Sequence, residues 1–240
     1  MAYFIKFNGV SSEGLFKIVK APTRVMATKK IELFSLNTMD GNSYKDYGTY
    51  EAYELELECR MVGNFSVENI QKVKEMFLDY EGKLEFSDEA GIYYKARLNN
   101  IIPFDETSLV SGEFPLSFSV YPKAYIIEGE KEIVIKSNDI ITNLGNQEAE
   151  PIIKVIGARD KFEIKIVNNE VEQNMYFRGL PGKEFTIDCN LEDCYSVDKE
   201  NYNLYLNLDS DFVKLGKGEN KIIFDPVGVT VKIIPNWVRL

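Results

Sequence analysis

The nine residues YELELECRM, Tyr53 to Met61, alternate without a break. Tyr53, Leu55, Leu57, Cys59 and Met61 fall on one side of an extended chain, and Glu54, Glu56, Glu58 and Arg60 on the other. Successive side chains of a strand point to opposite faces, so this period-two run buries one face and leaves the other in water. A helix would scatter the same residues around its circumference. The stretch therefore commits the first half of the chain to an antiparallel sheet with one wet face.

Shorter candidates surround it: YFIKF (Tyr3 to Phe7), LFKIV (Leu15 to Val19) and KIELF (Lys30 to Phe34). GEFPLSFSVYP, ending at Pro122, alternates again. One helix interrupts the strands. Ser66 is placed to cap SVENIQKVKEMFLDYEG, where Ile70, Val73, Phe77 and Tyr80 recur at three- and four-residue steps, and Gly82 is placed to end it. KLEFS, DEAG and IYYKARL then read as a hairpin turning at Gly91.

Pro122 and the polar Glu128–Lys131 run mark a boundary within residues 123–131, giving domains 1–127 and 128–240. Beyond it come EIVIK, PIIKVIG, FEIKIV, MYFRG, EFTIDC, YNLYLNL, KIIFD and VTVKIIP, separated by turn residues such as Asn168-Asn169, Pro181-Gly182 and Gly216-Lys217-Gly218. Short strands at this spacing predict a β-sandwich. The expected class is mainly β with one helix. Within IITNLGNQEAEPIIKVIG, Pro151 to Gly157 reads as a sandwich strand, and Asn143 to Glu150 as an exposed connection with no catalytic part.

Composition narrows function more by exclusion. At 45% hydrophobic the chain is too apolar for disorder. No apolar run approaches the roughly 20 residues of a membrane helix, and the start lacks a secretory pattern. The expectation is a soluble protein kept in the cytoplasm of its producer. The net charge of −10 is spread evenly: residues 1–123 carry 14 basic and 18 acidic residues, and 124–240 carry 14 and 20. Neither half has the basic footprint that gripping a phosphate backbone requires.

The chain has no histidine, which removes Ser-His-Asp and Cys-His chemistry and the commonest general base. Its three cysteines, Cys59, Cys189 and Cys194, offer no two-pair zinc spacing and read as free thiols in a reducing compartment. Glu54, Glu56 and Glu58 suggest an acid pair for glycoside hydrolysis, but their alternation puts them on the wet strand face. Asp105-Glu106 and Asp209-Ser210-Asp211 read as turns, the latter lacking the ligand spacing of a calcium loop. The glycines of Gly179–Gly182 and Leu215–Asn220 precede strands, so neither segment is a phosphate-cradling loop. No catalytic, cofactor-binding or metal-binding residue is expected.

The tyrosines are more informative. SYKDYGTYEAY places Tyr44, Tyr47, Tyr50 and Tyr53 in or beside a polar connection opened by Asp40-Gly41. They either face a partner or pack back on the host sheet. Trp237, the one tryptophan, reads as part of a tethered end strand and is too little for a sugar-stacking platform.

Taken in order, LFKIV, the DGNSY turn, YELELE, NIQKVKEMFLDYEGKLEFSDEAGIYYKARL and FPLSFSVYP resemble the N-terminal domain of siphophage distal tail proteins. NLGNQEAEPIIKVIG, FTIDC, GKGENKIIF and VTVKIIPNWVRL are similar to that family's C-terminal domain. The chain departs from the family pattern at Thr38-Met39-Asp40-Gly41 and at Asn236. The resemblance implies a β-sandwich-like N-terminal domain that closes into a homohexameric ring, and a galectin-like C-terminal β-sandwich that projects outward. It implies a structural hub joining the tail tube protein to tail-tip or tail-associated proteins, a receptor-binding protein among them, at the virion tail tip. Such a hub is assembled in the bacterial cytoplasm, from an active phage or a prophage, without cofactor or membrane. DNA passes through the lumen unbound, in a ring of net charge 6 × −10 = −60. The alternative reading is a carbohydrate-binding β-sandwich module; about 105 residues after the boundary leave no room for an inserted sugar-binding arm.

Overall fold

The computed structural model describes residues 3–23, 25, 27–35, 40–62, 66–100 and 112–240. The chain is mainly β and forms two compact units, Met1–Ala124 with Leu240, and Tyr125–Arg239.

Among the described residues of the first unit the strands are β1 (Ile5–Phe7), β2 (Val10–Ser11), β3 (Phe16–Ile18), β4 (Lys29–Ser35), β5 (Asn42–Tyr50), β6 (Tyr53–Met61), β7 (Glu81–Phe86), β8 (Ile92–Leu98) and β9 (Glu113–Ile126), with one helix, α1 (Val67–Met76), between β6 and β7. Seven strands make one sheet in the order β2-β1-β7-β8-β9-β6-β3. A bridge between Tyr3 and Ile18 returns the last strand to the chain just ahead of β1, so the sheet curls on itself. The curl encloses a core in which Phe7, Phe16, Phe77 and Phe118 meet with ring centroids 5.2–6.4 Å apart. Residues Leu55, Leu57, Cys59 and Met61 of β6 face that core as the alternation predicts.

Ser66 caps α1, its side chain accepting from the Asn69 N–H at 3.2 Å. The helix stops at Met76, however, four residues before the expected Tyr80. Phe77 turns into the aromatic core, and the Tyr80 carbonyl is already committed to the Leu98 N–H at 2.7 Å, so the sheet ladder takes over. Gly82 consequently lies in β7 and ends nothing. It is glycine for another reason: a Cβ there would sit 2.0 Å from Asn8 Oδ1, which accepts from Lys83 N. Asn8 and Gly9, both with positive φ, make the tight β1–β2 turn. Pro122 does not end its strand either; β9 continues to Ile126, and Pro122 lies past the final β6 pair, Tyr53↔Val120, where no ladder hydrogen bond to β6 is forfeited.

The second unit is a two-sheet sandwich. Strands β10 (Ile133–Ile135), β12 (Ile152–Ile156), β15 (Phe185–Asp188), β16 (Asp193–Ser196) and β18 (Thr230–Ile234) form one sheet, ordered β10-β18-β12-β15-β16. Strands β11 (Ile140–Asn143), β13 (Arg159–Asn168), β14 (Val171–Pro181) and β17 (Gly218–Asp225) form the other, ordered β11-β17-β13-β14. Both contribute to one core, where Phe162 and Phe177 of one sheet touch Phe185 of the other. A short end strand, β19 (Val238–Arg239), closes the unit, with the preceding Trp237 carbonyl accepting from the Ile126 N–H.

Two expectations for this unit are corrected. Residues 202–208 are no strand. Asn203–Tyr205 is a short 3-10 turn, because Asn201 and Asn203 side chains hydrogen-bond to backbone N–H groups at Asn203 and Cys194 and outcompete a ladder. Asn143 to Glu150 is not simply an exposed connection. Asn143 ends β11 and is buried, donating to the carbonyls of Gln147, Leu215 and Gly216 while accepting from Gly145 N. Ala149 is buried too, paired with Leu215.

Candidate functional site

The tyrosine-bearing segment is not a connection. It is half of a two-stranded ribbon, β4 paired with β5, that belongs to none of the three larger sheets. Every residue of β4 is exposed, and β5 is exposed except at Ser43 and Tyr50, which are half-buried. An isolated two-stranded hairpin is marginal in water, so a ribbon with this composition is unusual on a free molecule.

Register divides its side chains. Leu33 opposes Tyr44 and Ile31 opposes Asp46, so Ile31, Leu33 and Tyr44 share one face. Leu33 is 62% exposed and Tyr44 65%. Glu32 opposes Lys45 and Phe34 opposes Ser43 on the other face, where Tyr47 donates its hydroxyl to Glu32 and lies under Lys45, whose Nζ is 4.8 Å from the ring. Between Lys29 and Ile31 the register shifts, with Gly48 at φ +70°. Lys29 and Asp46 pair at 2.7 Å beside it. That hydrogen bond, with a second from Gly48 N, holds the Asp46 carboxyl below the ordinary range and the Lys29 ammonium above it. The hydrogen bond to Glu32 raises the Tyr47 phenol. One face thus carries Ile31, Leu33 and Tyr44, with Asp46 at its edge, and the other carries the Glu32–Tyr47–Lys45 network together with Phe34.

The four tyrosines separate accordingly. Tyr53 packs on the first unit's core, Tyr50 is half-buried, and Tyr44 and Tyr47 stand in solvent. Sequence reading missed Ile31, Leu33 and Phe34 as members of the surface; the signal was KIELF, whose apolar residues do not alternate cleanly with polar ones. Thr38 and Met39 lie outside the described residues, as do Asp105 and Glu106.

Glu54, Glu56 and Glu58 line the wet face of β6 as expected, Glu54 accepting from Asn99 Nδ2 at 2.7 Å. They point the same way along one strand, not across a cleft. Asp209-Ser210-Asp211 lies in a turn, with the Ser210 N–H bonded to the Asn207 carbonyl. Trp237 is buried against Gly129, which leaves it no face for a sugar.

Cys59, Cys189 and Cys194 are all free and buried. Desolvation pushes the thiols of Cys59 and Cys194 up to about 12 and Cys189 higher still. Little thiolate therefore forms at pH 8 in the folded chain. A thiol–disulfide reagent at that pH is expected to react on the timescale of unfolding, and then with three thiols in denaturant. Fast reaction of even one thiol in native conditions contradicts this burial. Because the folded values are raised, their contribution to stability is intact below the unfolded thiol range, near pH 8.5, and is lost as pH rises beyond it.

No family model matches the chain, and no curated protein matches it. Among solved structures it is similar to the crystal structure of the SPP1 Dit (gp 19.1) protein, a paradigm of the hub adsorption apparatus in phages infecting Gram-positive bacteria. The TM-score is 0.69 at 15% sequence identity, over 97% of this chain and 98% of that one. The two share a fold along nearly their whole length.

Proposed function

We propose that the chain is a non-enzymatic distal tail protein, a hub that joins the tail tube to the tail tip of a siphophage or prophage. The observation that carries this reading is the ribbon, whose Ile31–Leu33–Tyr44 face is exposed on a chain that shares the fold of a phage hub protein over 97% of its length. Residues 1–127 supply a heterologous contact, ribbon against a different patch of the next copy, which cyclic symmetry closes into a ring of six. Residues 128–240 face outward toward other tail proteins. The chain is placed at the virion tail tip after assembly in the bacterial cytoplasm. An acidic ring lets DNA pass its lumen without gripping it.

The test is direct. Purified full-length chain, imaged by electron microscopy and weighed by light scattering over a concentration series, is expected to give rings with a central lumen. Their mass should be six times 27.5 kDa, about 165 kDa. A chain that stays a monomer at the highest attainable concentration, or closes with another symmetry, overturns the hexameric hub.

A further inference from the structure

One side of the second unit's sandwich is closed by a strap, residues 201–211, that runs from edge strand β16 to edge strand β14. At its start Tyr202 N donates to the Cys194 carbonyl at 2.8 Å, and Asn203 accepts from Cys194 N and donates to Asp193. At its end Asn207 N donates to the Tyr176 carbonyl, and the Ser210 hydroxyl accepts from Tyr176 N. Tyr202, Tyr205 and Leu206 pack inward on the core. Two leucines point the other way: Leu204 is 80% exposed and Leu208 fully so. Leu191, in the β15–β16 turn beside Asp193, is exposed as well.

Single exposed leucines are ordinary, but these stand on an anchored strap in a strongly acidic setting. Residues 188–211 hold seven carboxylates and one lysine, so 1 − 7 = −6 of the chain's −10 falls on this tenth of its length. The nearby cations are engaged. Lys199 lies 4.0 Å over the Tyr195 ring, Lys183 pairs with Glu200 at 3.3 Å, and Arg178 sits on the Tyr176 ring. Among the described residues Glu192, Asp209 and Asp211 form no ion pair.

We propose that this strap docks a basic segment of another protein, one that lays aliphatic side chains on Leu204 and Leu208 while its lysines or arginines meet the surrounding carboxylates. Long cationic side chains suit such a surface because their stems cover leucine while their heads reach the acids. The same charge disfavours a second copy of this acidic chain, a nucleic acid and an anionic membrane. The proposal adds a second surface, on the other unit, and does not depend on ring closure.

The probe is a synthetic amphipathic peptide with one leucine face and one lysine face, titrated into the full chain by fluorescence anisotropy at several salt concentrations. The expected result is saturable, salt-sensitive binding that weakens about tenfold or more in Leu204→Ser/Leu208→Ser, a loss of about 1.4 kcal/mol. Asp209→Asn/Asp211→Asn should weaken it and flatten its salt dependence. The same peptide with glutamate for lysine should not bind. Equal binding by the leucine variant, or by a peptide with serine for leucine, reduces the effect to diffuse attraction and overturns the proposal. Leucine-dependent binding to vesicles of anionic lipid overturns it in favour of a membrane. Light scattering on the same samples separates the two readings: binding without rings sinks the hub, and rings with leucine-independent binding sink the docking strap.

Discussion

Leu33→Asp and Tyr44→Asp are expected to leave the chain folded and to abolish the ring. Both side chains are already in water in the single chain, and β4 and β5 make no part of either core. Neither substitution removes a buried contact, so the stability of the monomer should change by no more than about 0.5 kcal/mol. Assembly is different. Burying a leucine or a tyrosine at a contact gains roughly 1.5–3 kcal/mol, and a central contact residue replaced by a carboxylate loses that gain and adds desolvation of a charge. A loss near 3 kcal/mol per contact is more than a hundredfold in the association constant. A closed ring repeats every contact, so one substitution per chain acts six times, and the effect on ring population far exceeds that on any pair. Sedimentation at matched concentration gives the readout: 27.5 kDa species for the variants where the unaltered chain forms rings. Val227→Asp, an equally exposed position on the second unit, is the control and should assemble normally. Rings of unaltered stability in Leu33→Asp/Tyr44→Asp place the lateral contact elsewhere.

The ribbon also shows why some of this molecule was legible in the sequence and some was not. The β6 segment could be read residue by residue, because one buried face imposes alternation and the other face is free to be acidic. The Ser66 cap was legible for a similar local reason, a side chain satisfying an N–H three residues along the chain. The ribbon has no buried face in the single chain, so nothing imposes period two on it. Tyr44, Tyr47 and Tyr50 recur at a step of three, and the register shift near Gly48 breaks what alternation there is. On the proposed hub reading, its apolar residues answer to a neighbour that the sequence of one chain does not contain. The strap at residues 201–211 misled in the opposite direction. YNLYLNL alternates as a strand should, but Asn201 and Asn203 satisfy backbone groups with their side chains, and the segment meets the sheet edges only at isolated bridges.

Asn143 was the hardest residue to place, and it supports the most demanding test. It opens a polar run and would pass for surface, yet it is 6% exposed and its Nδ2 reaches three carbonyls at 2.9–3.2 Å. Asn220, fully buried, donates to the Gly216 carbonyl from the other side. The two amides pin the 214–218 loop to the end of β11 and so fix where β17 begins. Asn143→Ala removes donors, but Leu215 O still holds Ala149 N and Gly216 O still holds Asn220, so the cost should be modest, about 1–3 kcal/mol. Asn143→Asp has nearly the same shape and should be far worse at neutral pH. One carboxylate oxygen keeps the Gly145 N–H, but the other faces three carbonyl oxygens with almost no solvent, a buried charge without a cation that costs about 3–5 kcal/mol. The folded state raises the pKa of that carboxyl, so the penalty is smallest at or below the unfolded value near 4. It grows by about 1.4 kcal/mol per pH unit above that until the folded pKa is passed. Trp237, the sole tryptophan, is buried in the same unit and reports its unfolding by fluorescence. Urea midpoints from pH 4 to 7 should fall steadily for Asn143→Asp relative to Asn143→Ala. Parallel curves for the two variants would mean that Asn143 is solvated and that the loop is held by Asn220 and the Ala149–Leu215 bridge.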